Sequence, residues 1–173
     1  MADMGIETLK ANLTNPARTF LWEVRIPAPI GGGGDMNTLL LRCQTASIPN
    51  RAFEEILVNY KQTAGVKYHG KATYDHTWEL TFLESEDAKT FQAFYNWCQK
   101  QIHDVDGVGD PDISIKTDMY LALLNTKGSD TLQIHLVGCY IQAMGAVALD
   151  YAGNEVVKFT ITVSYDRWEQ KSA

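Results

Sequence analysis

Short segments in which apolar and polar residues alternate dominate this sequence. In the clearest segment, one set of alternate positions is apolar and the other is polar: Val157, Phe159, Ile161, Val163 and Tyr165 against Lys158, Thr160, Thr162 and Ser164. A β-strand directs successive side chains to opposite faces, so this pattern predicts a strand with one buried face and one solvated face. Strands of this kind are typical of antiparallel sheets.

Further segments repeat the alternation, and the sequence therefore predicts several strands of the same kind. Their apolar positions are Phe20, Trp22, Val24 and Ile26; Leu39, Leu41 and Cys43; Ile56, Val58 and Tyr60; Trp78, Leu80 and Phe82; and Leu132, Ile134 and Leu136. In the last of these the phase slips near Gly138, which predicts a bulge or bend. The uncharged stretch 131–149 contains polar residues at alternating positions, so we interpret it as a strand and not as a membrane span.

One segment has helical spacing instead. Ser85 is a candidate N-cap, followed by acidic residues in the first turn. A stripe at spacings of three and four follows, formed by Ala88, Phe91, Phe94, Tyr95, Cys98 and Ile102. The pattern predicts one helix at about 86–102 that buries this stripe against the sheet.

The chain has 173 residues, 45% of them hydrophobic, which favours a single domain over 1–173. We expect an N-terminal arm at about 1–17, a β core at 18–84, the helix, an acidic loop at 103–112 and a second β region at 113–169. The first residues lack the apolar segment of a signal peptide. Cys43, Cys98 and Cys139 are too widely spaced for a zinc motif or a disulfide framework, so we expect reduced thiols.

Charge and motifs argue against several classes of function. The formal net charge is −6, and the basic residues are dispersed, which disfavours tight binding to nucleic acid. The four glycines at 31–34 precede a strand and not a helix, so we expect a solvent loop there and not a phosphate site. His69, His76, His103 and His135 are scattered and no hydrolase motif is present. We therefore expect no catalytic residues, no metal and no cofactor.

The acidic loop partly matches the ligand spacing of a calcium-binding loop. Counted from Asp104, it places Asp106, Asp110 and Asp112 at ligand positions 3, 7 and 9 of a calcium loop, with Gly109 at position 6. Positions 5 and 12 hold Val108 and Ile115, so two ligands are missing. A solvated acidic turn is the better interpretation.

The segment 54–79 is long and polar, with Tyr60, Tyr68 and Tyr74 in a stretch that contains Gly65 and Gly70. We expect a hairpin whose tip, near 63–66, projects beyond the core. Exposed tyrosines at such a place suit contacts with other proteins.

The order of several segments resembles the tail tube protein of contractile-tailed bacteriophages. These segments are FLWEVRIP (20–27), RCQTASIP (42–49), EEILVNY (54–60), GKATYDHTWELTF (70–82), FYNWCQ (94–99) and ALDYAGNEVVKFTITVSYDRW (148–168). The resemblance covers roughly residues 15–169. One departure is Ile141, where relatives often have proline.

The resemblance implies a mainly antiparallel β-sandwich or barrel subunit with one flanking α-helix. It further implies hexameric rings that stack into a tube inside a contractile sheath, assembled in the host cytoplasm and located in the virion tail. The implied partners are other copies of the chain, the sheath, the baseplate and a tail terminator. Genomic DNA would pass through without specific binding, and no membrane insertion is implied.

The resemblance also suggests which residues contact other subunits and which line the lumen. The hairpin, with Tyr60, Gln62, Val66 and Tyr68, would contact neighbouring subunits and rings. Candidate residues lining the lumen are Glu79, Thr81, Thr160, Thr162 and Ser164, although the sequence does not distinguish a lumen face from an outer face. Two alternatives remain open: the tube subunit of a type VI or extracellular injection machine, and a soluble small-ligand β-barrel or enzyme.

Overall fold

A computed structural model of the chain describes residues 6–12, 15–26, 42–61 and 64–171. The strands are β1 (Trp22–Arg25), β2 (Cys43–Ala46), β3 (Ala52–Val58), β4 (Val66–Thr73), β5 (Thr77–Leu83), β6 (Thr117–Leu124), β7 (Asp130–Met144), β8 (Lys158–Ser164) and β9 (Arg167–Lys171). The helices are α1 (Ile6–Asn12), α2 (Lys89–Gln101) and α3 (Asp112–Ile115).

The strands form a large antiparallel sheet and a separate hairpin. The order in the large sheet is β1-β6-β7-β8-β5-β2, with β9 also paired to β7, and β3 pairs only with β4. The predicted mainly antiparallel β fold is confirmed. The described strands do not close into a barrel, and the described part of the chain adds two short helices, α1 and α3, to the one that was predicted.

The long strand β7 divides the large sheet into two halves. Its first part pairs with β6 and β9, and its last part, from Tyr140 onward, pairs with β8. Gly138 lies where the register with β6 shifts, between Leu136 and Cys139, and has a φ of 69°, a left-handed conformation that favours glycine. The phase slip predicted at Gly138 is therefore confirmed as a bulge in the pairing of β6 with β7, and the uncharged stretch 131–149 does contain a strand, as predicted.

The two halves and α2 share one hydrophobic core. The apolar positions of β5 and β8 are buried in it, as the alternation predicted: Trp78, Leu80, Phe82, Phe159, Ile161 and Val163. β1 and β6 contribute Val24 and Leu121, and α2 contributes Phe94 and Trp97. On the strands outside the hairpin, two expected core positions are wrong: Phe20, which precedes β1, is 68% exposed, and Val157, which precedes β8, is 40% exposed.

Helix α2 is the predicted helix, but its buried face shares only Phe94 with the predicted stripe. Its buried residues are Thr90, Ala93, Phe94 and Trp97, whereas Tyr95 and Ile102 are exposed. The Trp97 indole donates a 3.0 Å hydrogen bond to the Ile115 carbonyl oxygen. This inward bond and the large apolar surface of Trp97 set the rotation of the helix, because tryptophan gains most from burial when its N–H is also paired.

The N-terminus of α2 is capped by Glu84 and not by Ser85. The Glu84 carboxylate accepts hydrogen bonds from the amides of Thr90 (3.3 Å) and Phe91 (2.6 Å), and the Ser85 hydroxyl is bonded to Asp87. Ala88, with a φ of 51°, turns the chain into the helix, which begins at Lys89. A carboxylate with two acceptor oxygens can satisfy several of the unpaired amides at a helix start.

Several expectations fall outside the described residues. These are the glycine loop at 31–34, the strand positions Leu39 and Leu41, and Gln62 near the hairpin tip.

Candidate assembly surfaces

The hairpin of β3 and β4 has two different faces. The register pairs Ile56 with Tyr68 and Val58 with Val66. Directly paired residues of antiparallel strands point to the same side, so these four side chains form one apolar surface, which we call the hairpin face. Each of them is between 50% and 57% exposed.

The opposite side of the hairpin is mainly polar, with one exposed leucine, Leu57. Leu57 pairs with Lys67 and Glu55 pairs with His69 in the register, and Lys67 forms a 2.5 Å ion pair with Glu55. All seven residues of β3 are exposed. A two-stranded hairpin with no layer packed on either side is only marginally stable alone, so the apolar side is the surface that gains most from a partner.

The hairpin base is fixed to the core by two tryptophans. The Trp78 indole donates a 2.6 Å hydrogen bond to the Ser47 carbonyl oxygen, and the Trp168 indole donates a 2.9 Å bond to the Asn50 carbonyl oxygen. Tyr74, which directly follows β4, packs edge-on against Trp168. The hairpin therefore projects from a rigid base.

The structure places the four proposed contact residues as follows. Val66 and Tyr68 lie on the hairpin face. Tyr60 follows β3, is 65% exposed and lies beneath the Lys61 ammonium. Gln62 is outside the described residues. Sequence reasoning missed Ile56 and Val58 as parts of this surface, because their alternation is the same as that of a strand packed on the core.

The five candidate lumen residues come together on one face of β5 and β8. Thr81 pairs with Thr160 and Glu79 pairs with Thr162 in the register, and Ser164 lies at the end of the same row. The Thr81 and Thr160 hydroxyl oxygens are 3.1 Å apart. We call the face formed by these five residues the hydroxyl face. It is opposite the buried face of the same strands, and Lys158 lies on it at the start of β8.

The large sheet has three edge strands among the described ones, β1, β2 and β9, and β9 pairs only with β7. β1 and β2 are the outermost strands of the described order and have four residues each. Each has one described neighbour, β6 and β5 respectively, so its other edge carries backbone groups that another chain can pair with.

A polar cluster lies on the outward face of the first half-sheet. His135 is 7% exposed, its ring stacks on Tyr120 and its Nε2 is 2.8 Å from Asp118 Oδ2. Burial alone would raise the pKa of Asp118, but the bonds from the Gly138 amide and from His135 lower it overall. We assign the cluster a structural role, because these contacts fix the strand pairing beside the bulge at Gly138.

The acidic loop is held by hydrogen bonds within the protein. Asp104 accepts a 2.8 Å bond from the Tyr95 hydroxyl, and Asp106 lies 3.1 Å from His103 Nδ1. Among the described residues no three His, Cys, Asp or Glu side chains are grouped to hold a metal ion. None of the helices in the described ranges is long and apolar enough to cross a membrane.

A second exposed apolar surface lies in the loop between β7 and β8. Leu149, Tyr151 and Val156 are at least 61% exposed, and we call residues 145–157 the β7–β8 loop. Its ends are fixed by hydrogen bonds from the Gly145 amide to Thr160 O (2.7 Å) and from the Glu84 amide to Val157 O (2.9 Å). Sequence reasoning did not identify this surface, although three large apolar residues in a glycine-containing loop were a visible signal.

Comparison with known proteins identifies the family. The family model described as phage tail tube protein matches residues 16–171. Comparison with curated proteins gives no match.

Solved structures with a similar fold come from contractile injection machines. A chain in the structure of the anti-feeding prophage cap, the tube terminating cap, has a TM-score of 0.68 at 17% identity, over 92% of this chain and 93% of that one. A chain in the extended sheath-tube complex of PVC, an extracellular contractile injection system, has a TM-score of 0.67 at 14% identity. The match covers 98% of this chain and 100% of that one. The family match over nearly the whole chain leads to one conclusion: the chain belongs to the phage tail tube protein family.

Proposed function

We propose that this chain forms hexameric rings that stack into the inner tube of a contractile phage tail, through which DNA is ejected. The observation that carries the proposal is the hairpin face, an apolar surface that projects from the core and is uncovered in the single chain. In water an exposed apolar surface of this kind favours association. The family to which the chain belongs supports self-association as the form this takes.

The edges of the sheet support lateral assembly within a ring. β1 and β2 lie at opposite ends of the described strand order, so two neighbouring copies can bring one of each together. Pairing them would satisfy backbone groups and remove both edges as sites of aggregation. A ring closes when this contact is repeated by rotation.

The hydroxyl face is the proposed wall of the channel. Its central side chains, Thr81, Thr160 and Thr162, are neutral, and the charges on it are those of Glu79 and Lys158. Hydroxyl groups and a carboxylate offer DNA phosphates no concentrated positive charge, so passing DNA would slide and not adhere. If the lumen residues prove to be mainly lysine and arginine, this part of the proposal is wrong.

The proposed partners are the sheath, the baseplate and a tail terminator, with a location in the virion tail and assembly in the host cytoplasm. Two solved structures of similar fold support the choice, since one is a sheath-tube complex and another is a sheath/tube terminator. The role is structural, and we propose no catalysis.

A second candidate is the tube subunit of an extracellular contractile injection system. It is favoured by the match in fold along nearly the whole chain to a chain of the PVC sheath-tube complex. The two candidates share the tube and differ in its cargo. A sheath gene accompanied by capsid genes would support the phage tail, and one without them would support the injection system.

Electron cryo-microscopy of the concentrated, purified chain tests the proposal. We expect six-fold rings or hollow tubes, with Thr160 and Thr162 lining the channel. A protein that stays monomeric at every concentration would contradict the tube, and a map with the hydroxyl face outside would contradict the assignment of the channel wall.

A further inference from the structure

We infer that the β7–β8 loop of one copy is the surface that covers the hairpin face of the next copy along the tube. This inference rests on the proposed stacking of rings and names the contact that performs it. The occupant is therefore a second copy of this chain, bound through a different part of its surface.

The two surfaces lie at opposite ends of the β5–β8 pair. The hairpin base is bonded to the first end, where the Tyr165 amide donates a 3.1 Å hydrogen bond to the His76 carbonyl oxygen beside Thr77. The β7–β8 loop is bonded to the other end, where Leu83 pairs with Lys158. Seven residues of strand separate the ends by about 20 Å, so the loop and the hairpin of one chain are attached at opposite ends of this pair.

Opposite placement makes the contact head-to-tail. When two complementary surfaces lie on opposite ends of a subunit, each bound copy presents a new free surface, and the contact propagates as a filament. A hairpin that bound another hairpin would make a closed pair and would stop growth. A stack of rings therefore requires the head-to-tail contact between a hairpin and a loop.

The chemistry of the two surfaces is complementary. Both present aliphatic residues and a tyrosine: Ile56, Val58, Val66 and Tyr68 on the hairpin face, and Leu149, Tyr151 and Val156 on the loop. Residues 51–75 carry four basic and three acidic side chains, whereas residues 145–157 carry two acidic and no basic ones. The apolar contact supplies the affinity, and the opposite net charges favour this pairing over loop with loop.

The acidic loop is a weaker candidate for the same role, because it lies at the wrong end. Lys116, just after α3, forms a 3.0 Å ion pair with Asp166, and Asp166 directly follows Tyr165 at the hairpin base. A surface at the hairpin end of the subunit cannot meet the hairpin of a copy stacked in the same orientation. Val105 in this loop, 89% exposed, therefore provides a matched control.

Complementation between two defective variants tests the inference. One variant, I56D/Y68D, has a defective hairpin face, and the other, L149D/Y151D, has a defective loop. V105D is the control, and circular dichroism checks that each variant is folded, as expected for exposed positions. Sedimentation velocity over a range of concentrations measures assembly.

We expect each defective variant to need at least about tenfold more protein than the wild type to stack, and V105D to behave as the wild type. An equimolar mixture of the two defective variants should form one additional species with twice the mass of either alone, since a single intact hairpin-loop contact remains. Normal stacking by L149D/Y151D, or no new species in the mixture, would overturn the inference while leaving the tube intact. A wild type that never associates would overturn both.

Discussion

The Trp78 indole N–H and the Ser47 carbonyl oxygen are joined by a 2.6 Å hydrogen bond, and this bond connects the centre of the core to the chain that enters the hairpin. Trp78 is 1% exposed, so its ring fixes both the packing of β5 and the position of the hairpin base.

The first prediction concerns this residue. W78D should unfold the chain, because it places an unpaired charge in the core. W78F should remain folded but lose about 1–3 kcal/mol, since it leaves a small cavity and an unpaired carbonyl oxygen. Urea denaturation measures both effects, and a W78D variant with the stability of the wild type would show that this strand face is not essential to the core.

The bulge at Gly138 gives a second prediction with an internal control. Gly128 and Gly138 both have left-handed φ values, 78° and 69°. A Cβ at Gly128 would meet nothing, whereas a Cβ at Gly138 would clash with the Asp166 carboxylate. G128A should lower the free energy of unfolding by about 1–2 kcal/mol through backbone strain alone. G138A should lower it by roughly 1–3 kcal/mol more, because of the clash with Asp166. Equal losses in thermal unfolding would show that Asp166 moves away freely.

The cap of α2 gives a third prediction. The Glu84 carboxylate accepts amide hydrogen bonds from Ser85, Thr90 and Phe91, so E84A should destabilise the chain by about 1–2 kcal/mol. S85A is the matched control and should cost less, since the Ser85 hydroxyl bonds only to the side chain of Asp87. A larger loss for S85A in chemical denaturation would restore Ser85 as the cap.

A fourth prediction concerns the pH dependence of stability. Arg25 makes two hydrogen bonds to Asp130, of 2.7 and 2.9 Å, and they lower the pKa of Asp130 below its usual 3.8. The unfolded chain therefore binds this proton more readily than the folded one, so the stability from the pair is present above pH 3.8 and is lost as pH falls through the lower folded value. D130N should remove about 0.5–1 kcal/mol at pH 7, and its difference from the wild type should shrink below pH 3. A difference that is constant with pH would contradict the ion pair.

The thiols give a fifth prediction. Burial raises the pKa of both Cys43 and Cys139 to about 12, and it also raises the pKa of Cys98. Because the thiolate is the reactive form, the folded chain should react slowly with a disulfide reagent at pH 8. All three thiols should react rapidly in denaturant. Fast reaction of the folded chain would mean that these cysteines become accessible without unfolding.

The sequence predicted the strands more completely than it predicted the helix. The alternation in β5 and β8 predicted both the strands and their buried faces, because a period of two leaves only one choice of face once the apolar side is known. The helix was located, but its buried face was not. The rotation of α2 depends on the bond of Trp97 to the Ile115 carbonyl oxygen, a partner 18 residues away that the spacing of apolar residues does not reveal.

The assembly surfaces show most clearly which features depend on the local sequence and which depend on the tertiary structure. The sequence by itself determined that this chain forms amphipathic antiparallel strands, one helix and a projecting hairpin, because those features follow from local periodicity and turn residues. Only the tertiary structure decided that Ile56 and Val58 are uncovered while Phe159 and Ile161 are buried, although both pairs show the same alternation. Whether an apolar strand face is core or surface depends on what packs against it, and that is set by contacts between segments distant in sequence.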